Sequence, residues 1–384
     1  MRVLMLSWEF PPTSPGGNAA HVNGLAHALV RAGHEVVVLT RRTPGTAADA
    51  PTPEGVRVVR ADVDLPWLPT PEITRVASAN HALAAAAATL ADWHPDVVHA
   101  HDWAVAWAAV TVSAWTGAPL VTTFHGTERS RHGGHLPNGL PTDIHTVEWW
   151  LAAASTRVIT TTRLMTRGVV DWFELDPDRV HRVPAGIDPT WWRIREGRDV
   201  AGARRSGRVF AWGRVQYEKG FQTLAHAIAL LRPRVIGLEC TIAGRGSYLP
   251  ELQSQIDIAG VGDIIEVPGY VTGAELRAAL HDAGCVVIPS LYEPFGLVAL
   301  EALAGGAPVI AANTGGLAEL LAGSGAALLF EPGNADELAA CIERVLTDEP
   351  LAEEMSRAGE AMLEASYSWD AIAARTVQVY DRTP

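Results

Sequence analysis

Two successive series of short apolar segments, alternating with helices that carry one apolar face, constrain this chain more than any other feature. Such alternation builds parallel sheets from strand–helix–strand units. The first series reads as strand Arg2–Leu6, helix Ala19–Ala32, strand Glu35–Thr40 and strand Val56–Ala61. A long helix from Thr74 to Trp93, strand Val97–Ala100, helix Trp103–Thr116, strand Pro119–Thr123, a helix over Ile144–Ala154 and strand Val158–Thr161 complete it. A stretch rich in glycine and charge, Gly186 to Gly207, reads as a linker. The alternation then restarts with strand Arg208–Trp212, helix Phe221–Leu231, strands Leu238–Ala243 and Ile264–Val267, helix Thr272–Ala283 and strand Cys285–Pro289. Helix Val298–Gly305, strands Pro308–Ala311 and Ala326–Phe330, and helices Ala335–Thr347, Leu351–Ala365 and Trp369–Tyr380 follow. The expected class is α/β, with two doubly wound domains and a cleft between them. A chain of 384 residues is long enough to bury two cores.

Composition excludes several classes. A net charge of −13 argues against a nucleic-acid partner. Cys240, Cys285 and Cys341 sit in apolar contexts without metal-ligand spacing, and read as buried thiols of a reducing cytoplasm. The N-terminal run Met1–Leu6 is too short for a signal peptide, and the apolar stretch Ala82–Ala91 is too short to span a bilayer. A cytoplasmic protein is expected, with no transmembrane segment; peripheral membrane contact stays open.

Among 30 basic side chains, Lys219 is the only lysine. It shares a loop with Arg214, at the end of the strand Arg208–Trp212 and before a helix. Open α/β sheets bind ligands at such strand ends. An ammonium acts on phosphate as a compact point charge, with a geometry different from the planar fork of arginine. A second string, Glu293-Pro294-Phe295-Gly296-Leu297, follows an apolar strand and opens a helix, so the amides of Phe295 to Leu297 form a phosphate-sized N-terminus. The loop Asn313–Leu317 adds another nest of amides.

These strings, Gly213-Arg214 with Glu218-Lys219-Gly220, Glu293-Pro-Phe-Gly with Glu301, and Thr314-Gly-Gly-Leu-Ala-Glu319, resemble glycosyltransferase family 4. The family comprises retaining enzymes of the GT-B fold, two Rossmann-like domains facing across a cleft. Ser7–Pro12, Gly16-Gly17, His99-Ala-His101-Asp102-Trp103, Thr123-Phe124-His125 and His145–Trp150 resemble its bacterial glycogen synthase-like α-glucan glucosyltransferases. The resemblance implies an acceptor-binding domain over residues 1–190 and a nucleotide-sugar domain over 191–366. A C-terminal segment, 367–384, would cross back onto the first.

The resemblance also implies roles. Arg214 and Lys219 would bind the donor diphosphate and stabilise the leaving group. Glu301 would hold the ribose hydroxyls, and Glu293 would sit by the transferred sugar. Gly16, Gly17, Gly315 and the amides of Phe295, Gly296 and Leu297 would crowd the phosphates. Gly244, Arg245, Tyr270 and Val271 would line the base pocket, and His125 would hold the sugar. Glu9, His101, Asp102, Trp103 and Glu128 are the acceptor-side candidates. No metal and no cofactor are expected, the two cations serving in their place, and the two domains are expected to close on the donor. The sequence departs from the family pattern at Ala20, where relatives often carry a basic residue, and at Ala185 and Ala318.

Other signals read two ways. Asp102 could contact an acceptor or cap the following helix. At least one tryptophan of each pair Trp149-Trp150 and Trp191-Trp192 is expected in a core. His132 and His135 invite a metal reading, but sit in a loop without carboxylate support and read better as solvated or acceptor-contacting. The first loop lacks the Gly-x-Gly-x-x-Gly of a dinucleotide oxidoreductase. A phosphorylase would need a Schiff-base lysine, and the sole lysine is already placed. The expected reaction is transfer of glucose from ADP- or UDP-glucose to an α-1,4-glucan or maltooligosaccharide. A mannosyl- or glucosyltransferase acting on a lipid or small molecule, and a sugar-nucleotide epimerase, stay open as alternatives.

Overall fold

The computed structural model describes residues 1–12, 17–63, 71–90, 92–192, 207–271 and 273–383. They divide into two compact units, residues 1–186 with 369–384, and residues 187–368. The boundaries fall at Gly186/Ile187 and Ser368/Trp369, beside the expected 190 and 366. Ile187 bridges to Ser368, which ties both ends of the second unit together.

The first unit begins with β1 (Arg2–Ser7), α1 (Gly17–Arg31), β2 (Glu35–Arg41), β3 (Asp49–Pro51), β4 (Arg57–Ala61) and α2 (Glu72–Ala88). Next come β5 (Val97–His101), a 3-10 turn at Trp103–Val105, α3 (Ala106–Thr116), β6 (Leu120–Phe124), α4 (Glu128–Arg131) and α5 (Leu140–Ala154). β7 (Arg157–Thr160), α6 (Arg163–Phe173) and β8 (Val180–Arg182) complete its sheet. The strand order is β3-β4-β2-β1-β5-β6-β7-β8, parallel except for the β3–β4 pair. Order therefore reverses between β1 and β5, where Ser7 pairs with His101. Every residue of β5 and β6 is buried, as expected of strands covered on both faces.

The second unit holds α7 (Pro189–Trp192), β9 (Arg208–Trp212), α8 (Phe221–Leu231), β10 (Glu239–Ala243), α9 (Leu249–Ile258), β11 (Ile265–Gly269) and α10 (Gly273–Asp282). It continues with β12 (Cys285–Ile288), α11 (Leu297–Ala304), β13 (Val309–Ala312), α12 (Gly315–Leu321), β14 (Ala327–Phe330), α13 (Ala335–Thr347) and α14 (Glu349–Ser366). All its strands are parallel, in the order β11-β10-β9-β12-β13-β14, so order reverses between β9 and β12.

The last helix, α15 (Trp369–Tyr380), belongs to the first unit. Its Ile372, Ala373, Val379 and Tyr380 share a core with Val3, Met5, Val22 and Leu25. Trp369 lies so close to α1 that a Cβ on Gly24 would fall 2.1 Å from its ring. Arg31 clamps Asp370 at 2.6 Å. Among the described residues, no helix is long and apolar enough to cross a membrane.

Candidate functional site

In an open parallel sheet, the crevice for a ligand lies beyond the carboxyl ends of the strands, where their order reverses. Each unit puts its chemistry-bearing side chains at that point.

In the second unit the loop after β9 makes a 3-10 turn at Tyr217–Lys219 and ends on Gly220 at φ 69°. A Cβ on Gly220 would fall 1.9 Å from the Pro289 carbonyl, so only glycine lets this loop pass the end of β12. The Leu291 amide donates to Glu218 O at 2.8 Å and fastens the two loops. Lys219 is thereby aimed at the loop after β12, and its Nζ meets Glu293 Oε2 at 2.7 Å. Both side chains are largely out of solvent, 19% and 10% exposed. The loop after β13 closes over the same carboxylate residue: the Gly316 amide donates to Glu293 O at 2.8 Å. After β10, Gly244-Arg245-Gly246 knits onto the Arg214 loop, the Val215 amide donating to Arg245 O at 2.9 Å.

Four strand ends thus hold one interlocked set of loops. Arg214, Arg245 and Tyr270 are exposed, Val271 and Leu297 half-buried, and Phe295, Gly296 and Gly244 buried. Gly315 lies directly against Glu293 O. Glu301 stands in the second turn of α11, hydrogen-bonded by the Trp212 side chain. Burial pushes its carboxyl up to about 7, against the hydrogen bond from Trp212.

In the first unit, His101 ends β5 between Ser7 of β1 and Thr123 of β6. Asp102 follows at φ 62°, a left-handed conformation that costs an aspartate about 1 kcal/mol or more. It does not cap the next turn, which corrects the capping reading. Its Oδ1 instead accepts the His125 amide at 2.8 Å, and its Oδ2 accepts from Asn18 Nδ2. Asp102 therefore pins the start of the loop after β6 to the start of α1.

The His125 ring shares a hydrogen bond with His101, Nε2 to Nδ1, at 3.1 Å. His21 of α1 lies edge-on to His125, with ring centres 4.5 Å apart. His99, behind His101, uses both ring nitrogens, on Tyr380 Oη and on Thr123 Oγ1, each at 2.7 Å. Burial lowers the pKa of His21, His99, His101 and His125, that of His99 to about 3. At His125 the Asp102 charge opposes the shift.

The other acceptor-side candidates scatter. Glu9 and Trp103 are half-buried; of the donor-side glycines, Gly17 is exposed and Gly16 lies outside the described residues. His101 and Asp102 are buried, at 2% and 7% exposure, and each bonds to His125. Glu128 opens α4, pairs with Arg131 at 2.9 Å and lies 3.4 Å from His132. The loop of His132 thus has a carboxylate after all, supplied from a helix turn. Trp150 packs on the core while Trp149 is exposed, and Trp192 is buried while Trp191 is exposed, as expected of each pair.

Two further participants stand beside these candidates, and the sequence places only Glu148, in the acceptor-side stretch His145–Trp150. One is His21, whose membership depends on α1 meeting β5. The other is Glu148 of α5, fully buried, whose two carboxylate oxygens accept the Glu128 amide at 3.0 and 3.1 Å. Burial pushes that carboxyl up to about 7, against the pull of His145, the Glu128 amide and Arg131.

Comparison with known proteins places this geometry. The sequence model of Glycosyltransferase Family 4 matches residues 15–191, and that of Glycosyl transferases group 1 matches residues 200–362. The chain is 36% identical to a glycogen synthase of Mycobacterium tuberculosis, over 99% of this chain and 94% of the relative. It is 31% identical to a D-inositol 3-phosphate glycosyltransferase of an Arthrobacter species, again over 99% of this chain and 94% of the relative. Its fold matches a sucrose-phosphate synthase of Thermosynechococcus elongatus with a TM-score of 0.82 at 23% identity, covering 99% and 98% of the two chains.

Proposed function

As the chain belongs to glycosyltransferase family 4, with the GT-B fold and a glycogen synthase-like sequence, we propose that it moves glucose from ADP- or UDP-glucose to an α-1,4-glucan or maltooligosaccharide. Transfer proceeds with retention at the anomeric carbon and without a metal. The observation that carries this reading is the Lys219–Glu293 pair at the switch point of the second unit, 2.7 Å apart and shielded from solvent.

The pair divides the donor's needs. As the bond from the anomeric carbon to the phosphate oxygen breaks, negative charge grows on the diphosphate. Arg214 and Lys219 stand ready to take it, a preorganised electrostatic contribution that requires no metal. Glu293 keeps the Lys219 ammonium oriented, and lies where the sugar ring is held. Glu301, its carboxyl pushed up by burial, is placed to hydrogen-bond the ribose hydroxyls. His125, its ring neutral by burial, offers an uncharged hydrogen-bonding edge to the sugar. Cytoplasmic residence belongs to the same reading.

The relative acting on D-inositol 3-phosphate favours a second reading, in which the acceptor is a small molecule. The test offers radiolabelled ADP-glucose and UDP-glucose with maltoheptaose, glycogen, D-inositol 3-phosphate and membrane lipid extract. Label in maltooligosaccharide or glycogen, α-linked by NMR and undiminished by EDTA, is the expected result. Label found only in the inositol or lipid fraction overturns the glucan reading, and a β-linked product overturns retention.

A further inference from the structure

His21, His101 and His125 each offer a ring nitrogen, and these atoms all lie within 4.8 Å of one another. His101 Nδ1 and His125 Nε2 are 3.1 Å apart. Two nitrogens bound at 2.0–2.1 Å on a tetrahedral cation stand about 3.3 Å apart, so this pair needs little movement to share one. His21 Nδ1 is buried without a hydrogen-bond partner. Orphaned buried polar atoms in a folded protein call for an occupant. His99 is excluded as a ligand, because both its nitrogens are engaged. The Asp102 carboxylate, bonded to the His125 amide, supplies negative charge beside the trio.

We propose that His21, His101 and His125 form a binding site for a divalent transition-metal cation of the zinc class, and that its occupancy inhibits sugar transfer by engaging the His125 ring. The three rings come from α1, the end of β5 and the residue after β6. The cation therefore binds only when these elements are packed as observed, and the fourth coordination position is left for water. The inhibition half rests on the proposed role of His125; the binding half does not.

The experiment uses the full chain without an affinity tag. It is titrated with Co²⁺ followed by visible absorption, and with Zn²⁺ followed by calorimetry. One equivalent per chain is expected, with the absorption of a tetrahedral nitrogen-ligated cobalt that Zn²⁺ displaces. His21→Gln and His101→Asn, each checked by circular dichroism, should weaken binding by at least about tenfold, since losing even an outer-sphere partner of a metal site costs 10–100-fold. His226→Gln, on exposed α8 surface, should bind as the parent does. Absence of stoichiometric binding below millimolar metal overturns the site, as does equal weakening by His226→Gln. In the transfer assay, Zn²⁺ should inhibit with the same midpoint, and EDTA should restore activity. Stoichiometric binding without inhibition overturns the regulatory half and the assignment of His125 to the sugar, and leaves the metal site standing.

Discussion

At the scale of single residues, the decisive contact is an ion pair with little access to water. Lys219 is the one ammonium among 30 basic side chains, and it meets Glu293 at 2.7 Å. Removing one partner leaves the other charge in a poorly solvated place, which costs several kcal/mol in fully buried pairs and less at this partial exposure. Lys219→Ala is therefore expected to lower stability slightly and turnover strongly, by about 10²–10³-fold at saturating donor. Lys219→Arg keeps the charge but brings a planar fork to a site shaped for a point charge, and should recover only part of the rate. Steady-state kinetics on both variants checks this, and near-parental turnover of the alanine variant contradicts it. Gly220 gives a residue-scale test of the scaffold. Its φ of 69° and the Pro289 carbonyl 1.9 Å from a would-be Cβ leave no room for a side chain. Gly220→Ala should destabilise the chain by more than about 1 kcal/mol in urea unfolding. An unchanged midpoint would mean that the loops of β9 and β12 are not locked together.

At the scale of elements, what could be read locally was legible and what needed a partner was not. The helices at Phe221–Leu231, Ala335–Thr347 and Trp369–Tyr380 match their sequence boundaries because each carries a clear apolar face between stop signals. The apolar pattern does not mark α9, because only Leu252 and Ile256 of its ten residues are buried. Nor does it mark α6, β8 or the three-residue β3; the sheet extends past Thr160 because Val180–Arg182 pairs with β7. The donor-side strings were legible because each spans one strand end and one loop. The histidine trio was not, because Ser7 must pair with His101 before α1 and β6 can bring their imidazoles together. Glu148 belongs to this scale: one helix, α5, holds the start of another, α4, through a buried carboxylate. Its folded pKa, about 7, lies above that of an unfolded glutamate. The stability linked to this group is therefore fully present below the unfolded pKa and is lost as pH rises through about 7. Between pH 6 and 8 the loss should be on the order of 1 kcal/mol. Glu148→Gln keeps an acceptor for the Glu128 amide and removes the titration. Its denaturant midpoints at pH 6 and 8 should differ by that much less than the parent's, and an identical pH dependence in the two proteins would contradict the assignment.

At the scale of the whole molecule, the chain leaves the first unit at Gly186 and returns to it at Trp369. The alternation of strands and helices pointed to two doubly wound sheets, and the family resemblance implied the returning helix. It could not supply what the return accomplishes, because that depends on packing between residues nearly three hundred positions apart. Tyr380 is buried, and its hydroxyl reaches His99 Nδ1 at 2.7 Å, closing the hydrogen bonding of the histidine behind His101. The last turn of the chain thus supports the stack of rings at the switch point of the first sheet. Tyr380→Phe keeps the ring, its packing against Val3 and Met5, and almost all of its volume. It removes only the hydroxyl and leaves a buried imidazole nitrogen unpaired, at a cost of about 1–3 kcal/mol. Because the units have separate cores, the loss should be local. Native-state hydrogen exchange should show faster exchange for amides of β1, β5 and β6, while β9, β12 and β13 keep their parental protection. Equal acceleration in both sheets would mean that the two cores unfold as one, and no change in either would mean that the Tyr380–His99 contact carries no stability.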